Sequence, residues 1–299
     1  MNILITGAWR NAAEWVPALK KMGHTVVFQQ YEQEPLPVPG EWVEGLVCNG
    51  LLAHQPLERF PNLRYLQLTS AGCDRVPVER IAARGIRLHN AAGVYSIPMA
   101  EFTLCGVLQL YKHSRFFAEN QAQGRWEKHR GLLELAGKNV CIIGCGDVGT
   151  ACAERFRAFG CRVTGVNRSR RENAAFHRIV LLEQLDEVLP EADIVVLAVA
   201  LTGQTKHLMD AARLAKMKQG AVLVNIARGA LVDTQALIRG LETHLGGAVL
   251  DVFEEEPLKE DSPLWHMPQV IITPHNSFVG DGNRQRLDRL IMDNLEHFV

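Results

Sequence analysis

Three short polar stretches carry residue types able to act on a carbonyl compound. Asn225-Ile226-Ala227-Arg228-Gly229, Asp251-Val252-Phe253-Glu254-Glu255-Glu256-Pro257 and Thr273-Pro274-His275-Asn276-Ser277 each follow an apolar run of strand length. Together they offer a fixed cation, several carboxylates and an imidazole. Arg binds a carboxylate bidentately and polarises a neighbouring carbonyl. His titrates where a proton can be given to a forming alkoxide, and a carboxylate behind the ring would orient it and favour its charged form. That equipment suits hydride reduction of a 2-keto acid. Singly, each residue has a plainer explanation. Arg228 could be a structural ion-pair donor, His275 one of 11 ordinary histidines, and Glu254 to Glu256 a solvated acidic loop. Jointly, after successive strands, they are harder to dismiss.

A second motif supplies the context. Asn139-Val140-Cys141-Ile142-Ile143 runs into Gly144-Cys145-Gly146-Asp147-Val148-Gly149, and a helix-like stretch from Thr150 to Phe159 follows. In this G-x-G-x-x-G pattern Gly144 makes the tight turn, Gly146 admits a pyrophosphate to the backbone and Gly149 lets helix pack on strand. The pyrophosphate would rest on the unpaired N–H groups of the helix start, together with Asp147 and Val148. An NAD site places an acidic residue at the end of the next strand. Here Asn167 ends that strand and Arg168-Ser169-Arg170-Arg171 follows. Arginine pairs with a 2′-phosphate that a carboxylate would repel, so Asn167, Arg168, Ser169 and Arg170 favour NADP(H), with NAD(H) as the alternative.

The elements that must position these residues form two series. Apolar strands near 2–7, 24–29, 45–48, 63–69 and 86–90 alternate with helical stretches near 12–22 and 76–83. This series lacks a phosphate-type glycine pattern and is the candidate substrate half. From Ser96 a long helix reaches about Glu119. Strands at 139–143, 162–167, 194–199, 221–225, 247–250 and 270–273 then alternate with helices, Asp210 and Asp233 standing at N-cap positions. A last amphipathic helix covers about 281–298. Strand–helix alternation predicts an α/β chain of two doubly wound parallel sheets.

Composition narrows the function classes. With 32 basic and 33 acidic side chains, the net charge of −1 gives no electrostatic ground for nucleic-acid or membrane binding. No apolar run approaches the roughly 20 residues that cross a bilayer, and the N-terminus lacks a signal pattern. The seven cysteines make no C-x-x-C pair and read as core residues of a reducing, cytoplasmic protein without a metal site.

Asn225 to Asp233, Leu250 to Leu258 and Thr273-Pro274-His275, with Ser70-Ala71-Gly72-Cys73-Asp74, Ala100-Glu101 and Leu201-Thr202, resemble the signatures of the D-isomer-specific 2-hydroxyacid dehydrogenases. The resemblance covers nearly the whole chain. It implies a Rossmann-type cofactor domain at 93–279 and a flavodoxin-like substrate domain at 1–92 plus 280–299, with a cleft between them. It implies that Arg228 binds substrate carboxylate and carbonyl, that His275 is the general acid/base and that Glu256 is its partner. Glu256 stands immediately before Pro257, and Glu255 is the other register. Ala71 and Gly72 would hold the carboxylate with their backbone. Leu51, Tyr95 and Ser277 are expected at the substrate, and Asp251 near the nicotinamide, with Ala200, Thr205 and Ala227 as further cofactor contacts. The implied protein is a homodimer making a D-2-hydroxy acid from a small 2-keto acid. The rivals are a formate dehydrogenase-like enzyme, which resembles this fold but typically pairs its His with Gln, and a nucleotide-sensing corepressor-like protein.

Overall fold

The structure is a computed structural model and describes residues 1–298. In chain order its strands are β1 Asn2–Thr6, β2 Thr25–Gln29, β3 Gly45–Cys48, β4 Tyr65–Leu68, β5 Arg87–His89, β6 Asn139–Ile143, β7 Arg162–Asn167, β8 Arg178–Leu181, β9 Ile194–Leu197, β10 Val222–Asn225, β11 Gly247–Leu250 and β12 Val270–Ile272. The helices are α1 Ala12–Lys21, α2 Leu51–His54, α3 Val78–Ala83, α4 Ser96–Tyr111, α5 Ser114–Ala122, α6 Asp147–Ala158, α7 Leu185–Val188, α8 Ala211–Lys216, α9 Thr234–Thr243 and α10 Asn283–Glu296. Two compact units result, Met1–Tyr95 with Gly280–Val299, and Ser96–Val279.

The first unit is built on a parallel five-stranded sheet of order β2-β1-β3-β4-β5. Both faces are covered, which is why its central strands are continuous apolar runs rather than alternating ones. Leu4, Leu46 and Leu66 face one cluster, while Ile3, Ile5, Val47 and Tyr65 pack with Ile291 and Leu295 of α10 on the other. The buried Asp288 carboxylate accepts hydrogen bonds from Trp9 Nε1 (2.6 Å) and Asn11 Nδ2 (2.8 Å), tying α10 to the loop after β1.

The second unit is a parallel seven-stranded sheet of order β12-β11-β10-β9-β6-β7-β8. Cys141, Val195, Leu223 and Ala248 point to one face, Val140, Ile194, Val222 and Val249 to the other, where α4 and α6 lie. Gly106 lets α4 settle on β11, since a Cβ there would meet Val249 Cγ1 at 2.6 Å. Asp210 and Asp233 cap α8 and α9 through the amides of Arg213 and Ala236, both at 2.9 Å. Among the described residues no helix is long and apolar enough to cross a membrane.

Two features differ from the sequence-based expectation. The long helix from Ser96 is broken between α4 and α5. His113 adopts a left-handed conformation (φ 50°) and its ring stacks on His129 at 4.0 Å, while Lys112 donates to the Leu133 carbonyl at 2.7 Å. Contacts with the chain beyond α5 thus outweigh the continuous periodicity. Strand β8 was not foreseen. It pairs only with β7 at the sheet edge and is only partly buried, so it leaves no clean apolar run.

Candidate active site

The glycine turn lies where the strand order reverses, between β6 and β9, the position at which open α/β sheets bind ligands. Gly144 has φ 103°, a conformation that suits glycine, and its amide donates to the Val166 carbonyl at 2.8 Å. A Cβ on Gly149 would strike the Gly144 carbonyl oxygen, so α6 abuts the turn closely. Gly146 is exposed, with nothing within 4 Å of its Cβ position, and as the N-cap of α6 it provides no side-chain cap. The helix start therefore presents bare backbone and amides without a side-chain acceptor. These features fit a dinucleotide pyrophosphate.

Beyond β7 the Asn167 side chain is occupied by the Ser169 carbonyl (2.9 Å). Arg168 and Arg170 are exposed and make no ion pair among the described residues. Arg171, which had no assigned role, bends back to donate to the Cys145 carbonyl at 2.8 Å, bracing the glycine turn. After β9, the hydroxyl of the buried Thr205 donates to the Ala200 carbonyl at 2.8 Å and accepts the Thr202 amide at 2.7 Å, so it shapes this loop from within.

The three polar stretches leave adjacent strands in register, with Asn225 beside Leu250 and Leu250 beside Ile272. Because the sheet is parallel, they share one edge with the glycine turn. The buried Asn225 carboxamide sets the first loop, accepting the Ala227 amide (3.2 Å) and donating to the Arg228 carbonyl (2.9 Å). Arg228 Nη1 donates to the Ala227 carbonyl at 2.8 Å.

The three successive glutamates have three different fates. Glu255 points outward to Lys259 (2.8 Å), both side chains exposed, an arrangement worth little. Glu254 meets His207 and Thr234. Glu256 Oε2 lies 2.9 Å from His275 Nδ1, while its Oε1 accepts the Phe253 amide at 3.1 Å. A carboxylate on Nδ1 places the ring proton there and leaves Nε2 for the reacting side. Phe278 packs edge-on to the His275 ring at 6.1 Å.

His275 itself has φ 51°, a strained backbone that persists only where its surroundings hold it. The holder is Asp251. Its fully buried carboxylate accepts Thr273 Oγ1 (2.6 Å) and the amides of Asn276 (2.7 Å) and Ser277 (2.9 Å), and its carbonyl accepts the His275 amide (2.8 Å). Asp251 thus shapes the turn that carries His275. Ser277, expected at the substrate, is only 2% exposed and is bound into that turn.

In the first unit, the Ser70–Gly72 carbonyls are engaged by Ala91 N (2.9 Å), Asn90 Nδ2 (2.7 Å) and Ser70 Oγ (2.9 Å). Trans peptides turn the following amides the opposite way. The Ala71 and Gly72 amides have no hydrogen bond among the described residues and suit a carboxylate. Tyr95 gives its hydroxyl to the Thr69 carbonyl. Leu51 is 0% exposed and packs in the core cluster with Leu46 and Leu57 rather than lining a pocket, because it opens α2 facing inward. Glu32, which the sequence did not single out, pins the loop before it by accepting the amides of Asn49 (2.7 Å) and Gly50 (2.6 Å).

Comparison with known proteins agrees with this geometry. Residues 104–277 match the family model described as D-isomer specific 2-hydroxyacid dehydrogenase, NAD binding domain. The chain is 35% identical over 251 residues to a glyoxylate reductase of Pyrococcus horikoshii, covering 81% of this chain and 75% of that protein. A D-isomer specific 2-hydroxyacid dehydrogenase family protein from Aeromonas salmonicida superposes with TM-score 0.83 at 32% identity, over 99% of this chain and 94% of the other. A D-isomer specific 2-hydroxyacid dehydrogenase from Xanthobacter autotrophicus, solved with NADPH and MES, gives TM-score 0.79 at 30% identity, over 98% and 93%. The chain belongs to the D-isomer specific 2-hydroxyacid dehydrogenases, oxidoreductases built on a nicotinamide-dinucleotide domain.

Proposed function

We propose that the protein reduces a small 2-keto acid to the D-2-hydroxy acid, with Arg228 on the substrate carboxylate and carbonyl and His275 as proton donor. The observation that carries this is the 2.9 Å His275–Glu256 pair, held on the same sheet edge as the glycine turn. Bound nicotinamide dinucleotide supplies the hydride. Arg228 brings a permanent charge that binds carboxylate bidentately and stabilises oxygen as it becomes anionic. His275 in its imidazolium form gives the Nε2 proton to that oxygen, and Glu256 steadies the charged ring. In the reverse direction neutral Nε2 accepts the alcohol proton.

NADPH is the preferred cofactor in this reading. Support comes from Arg168 and Arg170, exposed and without an ion pair among the described residues, and from Asn167, which carries no charge to repel a 2′-phosphate. The Xanthobacter relative is in complex with NADPH. Glyoxylate is the first substrate to try, given the naming of the Pyrococcus relative. The exposed Trp126, Leu132 and Leu133 after α5 favour a homodimer, which sedimentation would test.

The deciding experiment follows oxidation of NADPH and of NADH at fixed glyoxylate and then at fixed phenylpyruvate. Faster turnover with NADPH supports the whole reading. Preference for NADH removes the arginine argument and leaves the chemistry. Nucleotide binding without turnover of any 2-keto acid replaces the enzyme with a sensor. Arg228→Ala should cost about 100-fold or more in turnover, the scale of removing a stabiliser of developing oxyanion charge. His275→Ala should lower kcat mainly.

A further inference from the structure

Glu254 has an arrangement that the reaction does not use. Its Oε1 lies 2.6 Å from His207 Nε2, and its Oε2 accepts the Thr234 amide at 3.0 Å and the Thr234 hydroxyl. Thr234 is the first residue of α9, so the carboxylate also sits at the positive end of a 10-residue helix. Burial raises the Glu254 pKa, but hydrogen bonds from Thr234 and His207 outweigh it and hold the group below the usual carboxylate range.

One partner, Thr234, lies in the chain that follows Arg228, and the other, His207, is bonded to that chain. The His207 amide donates to the Ala230 carbonyl (2.8 Å), the Met209 amide to that of Leu231 (2.9 Å) and the Asp233 amide back to Met209 (3.1 Å). Residues 207–209 are thereby zipped to 230–233. His207 stands at φ 50°, a conformation kept where the surroundings hold it. Between Arg228 and this zipper, Gly229 lies flush on the Phe253–Glu254 backbone, where a Cβ would overlap main-chain atoms. On the other side, Glu254 is two residues from Glu256, whose carboxylate touches His275.

We infer that Glu254 is a positioning residue: by clamping His207 and Thr234 it fixes the Arg228 loop against the loop that carries Glu256. The inference rests on the roles proposed for Arg228 and His275. Glu255, between the two working glutamates, pairs with exposed Lys259 alone among the described residues and is the internal control.

The test is steady-state kinetics with NADPH and a 2-keto acid, alongside melting curves, for Glu254→Ala, Glu254→Gln, His207→Ala and Glu255→Ala. Displacement of reacting groups by about 1 Å can cost about 100-fold, so Glu254→Ala should lower kcat by at least about 10-fold. NADPH affinity, set at the glycine turn, should not change. Glu254→Gln keeps an acceptor for Thr234 and should recover part of the loss, His207→Ala should reproduce part of it, and Glu255→Ala should match wild type. If Glu254→Ala does not fold, the Gln and His207 variants carry the same reading. Wild-type kcat in the Glu254 and His207 variants, with or without a lower melting temperature, overturns the clamp alone. A wild-type protein that turns over no 2-keto acid overturns the proposed function and this inference with it.

Discussion

Replacing Asp251 by Asn tests how the site is held. The carboxylate is fully buried and accepts three hydrogen bonds at 2.6, 2.7 and 2.9 Å, two on Oδ1 and one on Oδ2. Asparagine keeps one acceptor oxygen, so its NH2 must face at least one N–H donor in either orientation. A hydrogen bond to a charged group is worth about 1.5–3 kcal/mol, and the remaining bonds lose their charge assistance. The loss is therefore about 2–4 kcal/mol. For a domain of this size each kcal/mol moves the melting temperature by about 2–4 °C, so a drop on the order of 10 °C is expected in a calorimetric scan. The His275 amide keeps its bond to the Asp251 carbonyl, so the turn loosens rather than unravels. Turnover should fall about 10-fold or more as the strained His275 backbone relaxes. A variant melting within about 2 °C of wild type with unchanged kcat would refute the reasoning. Weaker NADPH binding at an unchanged melting temperature would instead assign Asp251 chiefly to the cofactor.

Other perturbations probe the remaining parts. Gly149→Ala puts a Cβ onto the Gly144 carbonyl and must push α6 from the turn, at about 1–3 kcal/mol. NADPH fluorescence titration should show clearly weaker binding, and wild-type affinity would remove the turn from the site. Arg168→Ala and Arg170→Ala together should weaken NADPH by about 10- to 100-fold, as lost charged hydrogen bonds do, with NADH unaffected. Equal effects on both nucleotides would contradict the 2′-phosphate assignment. Burial pushes the thiols of Cys141 and Cys152 up to about 12, and those of Cys145 and Cys161 up to about 11. The folded chain thus keeps protons that the unfolded chain releases near pH 8.5. Stability should be unaffected by these thiols below that pH and fall as pH rises towards 11 and 12, by up to about 1.4 kcal/mol per thiol per pH unit. Melting temperatures across the alkaline range check this, and a flat profile beyond about pH 10 would count against it.

Local physics made much of this protein legible in its sequence. Strands buried on both faces are contiguous apolar runs, so β1, β6, β9 and β10 could be read directly. The glycine turn was legible because its demands on φ and on close approach fall within a few consecutive residues. Asp210 and Asp233 cap the amides three residues on, again a short-range event. Arg228, Glu256 and His275 stood out because residues that follow successive parallel strands must share one sheet edge.

The tertiary structure decided what depends on groups far apart in the chain. Three consecutive glutamates look alike in sequence, and only the path of their loop sends Glu254 to His207, Glu255 outward and Glu256 to His275. Asp251 read as a cofactor contact, but the following loop folds back over its carboxylate. Leu51 is turned inward by the close of β3, and His113 breaks a helix because His129 offers its ring a partner. These choices come from packing and hydrogen bonding between residues separated by tens of positions, where sequence periodicity carries no signal.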